Sequence, residues 1–475
     1  VRRPPGRHLP RSGRNSHCHG PGVTAPARCG AAPPPPAPGD LAAASGNCPA
    51  YASLIRCLRV RFRLPRFFPV ALICWAACGP AEPPTADPVP RTANELASRY
   101  VELAFALHEF DPLFLDLVFT GVPPENPGLE LREIAERAGR LADRSREMAR
   151  TGEEFRVRRI EASLRALAFR ARSLLGERRP VAQELREVFG LSWADPEADL
   201  DRLHFRVDRA LSGVAPLKVR VRRYYERSDA PVESAEVRLR EALAACRGLA
   251  LGESVAMEFE PLGIRWMSAA EALALPTGPS PFYRYSGEGG GALWLPLGLP
   301  LRSTELHRLA CHEGIPGHHL QAIVADREFQ ATGWPELGIV PLYGPRTAVF
   351  EGLAVTFEGL VPAAPADASL RALEPVVSRV LAGYLDGDLS HLEALRALDF
   401  EALVPDPHGL LAHADRFGGY ALVRPSVDPA FRAALESLVD PQLPPPDRLA
   451  RTLLVIREAM SPAELIQLLS RPLHN

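Results

Sequence analysis

Lysine is nearly absent from this 475-residue chain: Lys218 is the single one, and arginine supplies the rest of the 55 basic residues. Together with 49 prolines, that bias reflects the codons of a GC-rich genome and carries no chemistry. Long hydrophobic runs are missing too. The apolar share is 46% and the charged share 24%, the balance of a globular fold, which excludes a multi-spanning or wholly disordered chain. Positive charge is missing where a nucleic-acid binder would need it. Eleven arginines and one acid, Asp40, fall within residues 1–66, leaving 44 basic and 56 acidic residues for 67–475. An acidic body argues against a nucleic-acid partner. Cysteine is scarce beyond residue 78, where only Cys246 and Cys311 remain. Two such residues make no disulfide scaffold, and they are expected to be buried thiols rather than a bridge. The run Gly289-Gly290-Gly291 is not followed by Lys-Ser/Thr and opens no helix, so it is not a phosphate loop.

What is present divides the chain. Residues 1–59 are rich in Pro, Arg, Gly and Ala, with a low-complexity run PPPPAP at 33–38. Cys18, Cys29, Cys48 and Cys57 lie there without the spacing of a zinc site. This stretch is expected to be either a non-native upstream extension or a disordered tail. Residues 60–78 read as an export signal: Arg61, Arg63 and Arg66 precede an apolar segment from Phe67 to Trp75, then Ala76-Ala77-Cys78-Gly79. The segment is too short to cross a bilayer. The residues before Cys78 resemble a bacterial lipobox, with Trp75 where an aliphatic residue is usual. That resemblance implies membrane attachment through a lipidated Cys78, with the Pro-rich stretch 79–91 as a tether. The alternative is an ordinary signal cut after Ala77. Both place the mature chain outside the cytoplasm, in the periplasm or anchored as a lipoprotein.

Residues 92–475 carry helical periodicity. In 94–108, Leu96, Tyr100, Leu103 and Leu107 recur three to four residues apart, with Asn94 as the expected N-cap. Residues 129–176 run without proline and predict two helices or one long one; 198–227, 233–247, 369–384 and 445–470 continue the pattern. The texture changes at 252–302. Met257-Glu258-Phe259 and Ala292–Leu295 are strand-like, among many Pro and Gly. The fold class predicted is mainly α: one large helical domain with a cleft and a small β-rich insert.

One motif carries chemistry. Residues 303–325 read STELHRLACHEGIPGHHLQAIVA, with His312-Glu313 followed by His318-His319. Zinc takes neutral imidazoles, and a nearby Glu can take a proton from a metal-activated water. The usual spacing puts the second His four residues after the first, one helical turn away, but Pro316 stands there. In an unbroken helix His319 would share the face of His312, yet lie about 10 Å along the axis, too far to share an ion. A bulge at 314–317, allowed by Gly314, Pro316 and Gly317, would instead bring His318 into reach. Glu351 in VFEGLAVTFEGL is the best third ligand, and Glu358, seven residues on, shares its helix face and could orient a histidine from behind. Tyr343 and Arg346, in the loop before Glu351, are candidate substrate contacts: one for an oxyanion, one for a carboxylate. Tyr420 is a weaker candidate of the same kind; His307 is expected at the surface or behind the ligands, and His391, His408 and His413 receive no role.

HEGIPGHHLQ followed by WPELGIVPLYGPRTAVFEGLA resembles the bacterial family called domain of unknown function 885, whose members resemble gluzincin metallopeptidases: helical, clefted, with one zinc. The resemblance is strongest over 303–360 and weaker over 94–302, where Phe282-Tyr283-Arg284-Tyr285-Ser286-Gly287 resembles a loop upstream of the motif. It implies His312, His318 and Glu351 as ligands of one Zn2+ per chain, with His318 preferred to His319. Glu313 would be the general base, and Glu358 and His319 would stand behind the ligands. The function expected is a zinc-dependent peptidase acting on a peptide or small amide. The alternatives are a metal-binding but non-catalytic lipoprotein and a hydrolase of non-peptide amides or esters.

Overall fold

Helix formation follows the apolar spacing. In Ala93–His108 the four residues Leu96, Tyr100, Leu103 and Leu107 are all buried. The helix begins before Asn94: Thr92 is its N-cap, accepting from the Glu95 N–H at 3.1 Å. A hydroxyl three residues ahead of an orphan N–H satisfies it, whereas Asn94 already lies inside the first turn. The proline-free stretch forms two helices, Leu131–Met148 and Glu154–Leu174. The pairs Arg146–Glu161 at 2.8 Å and Arg165–Asp143 at 3.2 Å step in opposite chain directions, so the two helices are antiparallel. Helices Leu200–Ala210, Leu217–Ser228 and Val232–Leu251 follow, the last two on either side of Pro231.

The computed structural model describes residues 89–470, apart from 122, 125–127, 149–152, 196, 229–231, 252–261, 276–279, 298–300, 425–426 and 441. They belong to a compact unit, Ala86–Asn475. The expected export signal, Cys78, residues 79–88 of the tether and the strand at Met257–Phe259 lie outside the described residues. Among the described residues no helix is long and apolar enough to cross a membrane.

The fold is mainly helical, and the described residues form five short strands in two sheets. These are β1 (Leu115–Val118), β2 (Gly263–Met267), β3 (Phe282–Gly287), β4 (Gly290–Pro296) and β5 (Ile339–Pro341). β1 pairs antiparallel with β5. The other sheet runs β2-β4-β3, parallel then antiparallel, and forms the β-rich insert expected between 252 and 302. Phe282–Gly287, which resembles a loop in sequence, is the strand β3. In the C-terminal part, prolines at first-turn positions divide the predicted segments. Pro365–Arg371 precedes Glu374–Asp386, and Pro445–Glu458 precedes Pro462–Leu469.

Among the described residues two apolar clusters hold these elements. The larger joins the N-terminal helices to helices His318–Thr332 and Pro345–Phe357 and to the C-terminal helices. The smaller packs Leu239, Ala242 and Cys246 against Leu306, Ala310, Cys311 and Leu293 of β4. Here the sequence expectation is corrected: Cys246 and Cys311 form a disulfide, with Cα atoms 5.3 Å apart. Each cysteine sits in the apolar stripe of its own helix, which reads as an ordinary buried thiol. Only the docking of Val232–Leu251 on Ser303–Glu313 brings them together.

Candidate metal centre

The motif is two helices and a turn. Helix Ser303–Glu313 stops at Glu313, and helix His318–Thr332 starts four residues beyond Gly314. Pro316 has no N–H to continue the first helix. The turn is tight enough to require glycine at both ends. A Cβ on Gly317 would lie 1.8 Å from the His312 carbonyl oxygen, and one on Gly314 would lie 2.5 Å from that of Ala310. The chain therefore doubles back, and the His312 and His318 Nε2 atoms stand 3.1 Å apart. The neighbouring His319 is buried elsewhere, its Nδ1 3.0 Å from the Tyr283 hydroxyl.

Glu351 arrives on helix Pro345–Phe357. Its carboxylate oxygens lie 3.7 Å from His312 Nε2 and 3.5 Å from His318 Nε2. One donor atom from each of the three residues falls within 4.8 Å of the others, so the group can hold a metal ion. A tetrahedral ion with bonds of about 2.0–2.1 Å separates neighbouring ligand atoms by roughly 3.3–3.4 Å. The observed spacings bracket that value.

The groups behind the ligands strengthen the fit. His312 Nδ1 lies 3.1 Å from Glu358 Oε1, and Glu358 Oε2 accepts from Arg308 at 2.6 Å. His318 Nδ1 lies 2.9 Å from Gln321 Oε1, and the Gln321 amide donates to the Phe350 carbonyl at 2.9 Å. Both acceptors draw the imidazole proton onto Nδ1 and leave an Nε2 lone pair on each ring. Two lone pairs facing at 3.1 Å repel unless a proton or a metal ion stands between them, and an ion bound there would take the proton's place. Tyr420 donates its hydroxyl proton to Glu351 Oε1 at 2.7 Å, which fixes the carboxylate that would be the third ligand. Burial alone would lower the His312 pKa, but the bond to Glu358 and the charges of Glu313 and Glu351 outweigh it and hold it at about 9. Burial would likewise raise Glu358, yet His312 and Arg308 hold it down to about 2.

Glu313, Asp116, Tyr283 and His413 share the cavity of about 330 Å³ with the ligands. Glu313 is buried, and among the described residues no hydrogen bond engages its carboxylate. Burial pushes its pKa up, and His312 and His318 pull it part of the way back. Asp116 lines the cavity from the exposed side of β1; the protein around it pushes its pKa up to about 6 against the pull of His318. Burial raises both Tyr283 and Tyr420, which keeps their hydroxyls as proton donors.

Two expected substrate contacts are corrected. Tyr343 is buried under the Arg170 guanidinium, 3.8 Å from the ring centre, and does not line the cavity. Arg346 is buried beside Phe350, and burial lowers its pKa to about 10. Five residues separate it from Glu351, about 140° around the helix, so the two side chains face opposite ways. His307 is exposed. Sequence reading missed Asp116, Gln321 and His413 and undervalued Tyr420. Gln321 had a local signal, three residues after His318 on the same helix face. Asp116 and His413 come from distant chain and had none.

No family model matches the sequence, and no curated protein matches it. One solved structure, described as the "putative lipoprotein from Colwellia psychrerythraea", is 15% identical, with a TM-score of 0.44 over 81% of this chain and 77% of that one.

Proposed function

We propose that the chain is a zinc-dependent hydrolase of peptide bonds, in line with its resemblance to the domain of unknown function 885 family and to gluzincins. The observation that carries the reading is the convergence of His312, His318 and Glu351 on one point, with the Glu313 carboxylate in the same cavity. A bound divalent ion supplies Lewis acidity and makes a water molecule more acidic. The chain's own residues do the rest. Glu358 and Gln321 hold the two imidazoles with Nε2 forward. Glu313 accepts the proton of the attacking water and returns it to the leaving nitrogen, and its raised pKa suits both halves of that transfer. Tyr283, on the cavity wall with its proton retained, donates to the carbonyl oxygen as negative charge develops there.

Export is part of the proposal. It rests on residues 60–78 of the sequence, and the Cys246–Cys311 disulfide supports an oxidising compartment.

The test is metal content and turnover on the full chain. One zinc is expected per chain, and none in His312→Ala/His318→Ala. Glu313→Gln is expected to keep the metal and to lose about 10²–10⁴-fold in hydrolysis of a peptide library. Wild-type activity in that variant would remove Glu313 from the mechanism. Bound metal with no hydrolysis of any peptide, amide or ester would leave a binding protein.

A further inference from the structure

The three-stranded sheet carries a row of cationic and aromatic groups. Its register sets Arg265 of β2, Trp294 of β4 and Phe282 of β3 side by side, with Arg284 two residues along β3 on the same face. The Arg265 guanidinium lies 3.9 Å from the Trp294 ring centre and that of Arg284 5.6 Å from it, while Phe282 stacks on Trp294 at 5.7 Å. Arg284 has no ion pair among the described residues. Arg265 faces Glu271 at 3.6 Å with both side chains more than half exposed, a pair of little worth.

This platform adjoins the metal centre. Phe282 and Tyr283 line the metal cavity, whereas Arg284, Trp294 and Arg265 line a groove of about 1330 Å³. β1 makes the same passage, with Asp116 in the cavity and Val118 in the groove. The cavity alone is sized for a small amide; the groove adds room for several residues of chain. Glu288 and Asp326 also line the groove, but the Tyr285 hydroxyl donates to Asp326 at 2.6 Å. Stacking on Trp294 orients the guanidinium groups before any ligand arrives, and a guanidinium matches a carboxylate.

We infer that this groove is an arm of the substrate site, taking an extended peptide on which Arg265 and Arg284 select a carboxylate. The inference rests on the hydrolase reading of the metal centre and adds its substrate class. The row from Phe282 to Arg265 crosses two strand spacings, about 10 Å, or roughly three residues of extended chain. The selected carboxylate therefore sits about three residues from the scissile bond.

The probes are fluorescein-labelled, C-terminally amidated alanine decapeptides with one Glu, Gln or Lys stepped through every position. A matching Gln series ends in a free carboxylate at varied length. Binding is read by fluorescence anisotropy on the full chain carrying Glu313→Gln, so that cleavage does not intervene. At one or two adjacent positions Glu is expected to bind at least fivefold tighter than Gln. Arg265→Glu/Arg284→Glu is expected to shift the Glu-to-Lys affinity ratio by about tenfold or more toward Lys. Its metal content and circular dichroism check that it folds. A free terminus that replaces the Glu at the same distance assigns the carboxylate to the chain end; either source upholds the inference. Equal binding of Glu, Gln and Lys everywhere, no binding, or a preference unchanged in the double variant overturns it. The hydrolase reading fails separately, if the wild type cleaves none of the peptides that are bound.

Discussion

Breaking the Cys246–Cys311 disulfide tests how the metal centre is anchored. The bond ties helix Val232–Leu251 to helix Ser303–Glu313, and Cys311 directly precedes His312. The cysteines are 65 residues apart in sequence, and closing a loop of that length in the unfolded chain stabilises the fold by about 4 kcal/mol. Unfolding a unit the size of Ala86–Asn475 gains on the order of 0.8 kcal/mol per kelvin in entropy, so reduction lowers the Tm by about 5 °C. The assay is calorimetry with and without a phosphine reductant, on the wild type and on Cys246→Ala/Cys311→Ala. Reduction keeps both sulfur atoms in the core and removes only the link. The double variant has no link to lose, so its Tm should not respond. A chelator competition run alongside should show weaker metal binding in the reduced wild type, because the helix end bearing His312 is no longer pinned. Equal responses of the two proteins to the reductant would refute the reasoning.

Three further outcomes follow from the geometry. Glu358→Gln removes the charged acceptor behind His312 and strands Arg308, so metal affinity measured by chelator competition should fall about 10–100-fold. Gly317→Ala drives a methyl group into the His312 carbonyl, 1.8 Å away, and should cost on the order of 3 kcal/mol or more in denaturant unfolding along with the metal site. Burial, aided by Arg424, depresses His413 from 6.5 to about 4. The unfolded chain thus binds the proton more readily, and stability should fall as pH drops from about 6.5 to about 4, by roughly 2–3 kcal/mol. His413→Gln should flatten that part of the profile, and an unchanged slope would place the titration elsewhere.

The sequence made the helices and the broken motif legible because both are local. Leu96, Tyr100, Leu103 and Leu107 announce one buried face, and Pro316 between two glycines announces a helix that cannot continue. The same locality misled at two points. Tyr343 and Arg346 stand close to Glu351 in sequence, but the helix that begins at Pro345 turns Arg346 to the core side. Asp116, His413 and Tyr420 reach the cavity from far along the chain, so no spacing connects them to His312. The disulfide was illegible for the same reason: its partners are neighbours only across a helix–helix contact.

The break at 314–317 also changes what kind of quantity the ligand spacing is. On a continuous helix the distance between two histidines is a secondary-structure constant, kept as long as one turn stays hydrogen-bonded. Here His312 ends one rod, His318 begins another and Glu351 rides on a third. Their spacing is a tertiary coordinate, set by how three rods dock. Such a centre acts as a gauge of the whole unit: a slip of an ångström between helices, too small to alter helicity, already spoils the cage. Mild heating or denaturant should therefore release an ion bound there before the circular dichroism signal moves. A cation held there acts as a rivet through three otherwise separable parts.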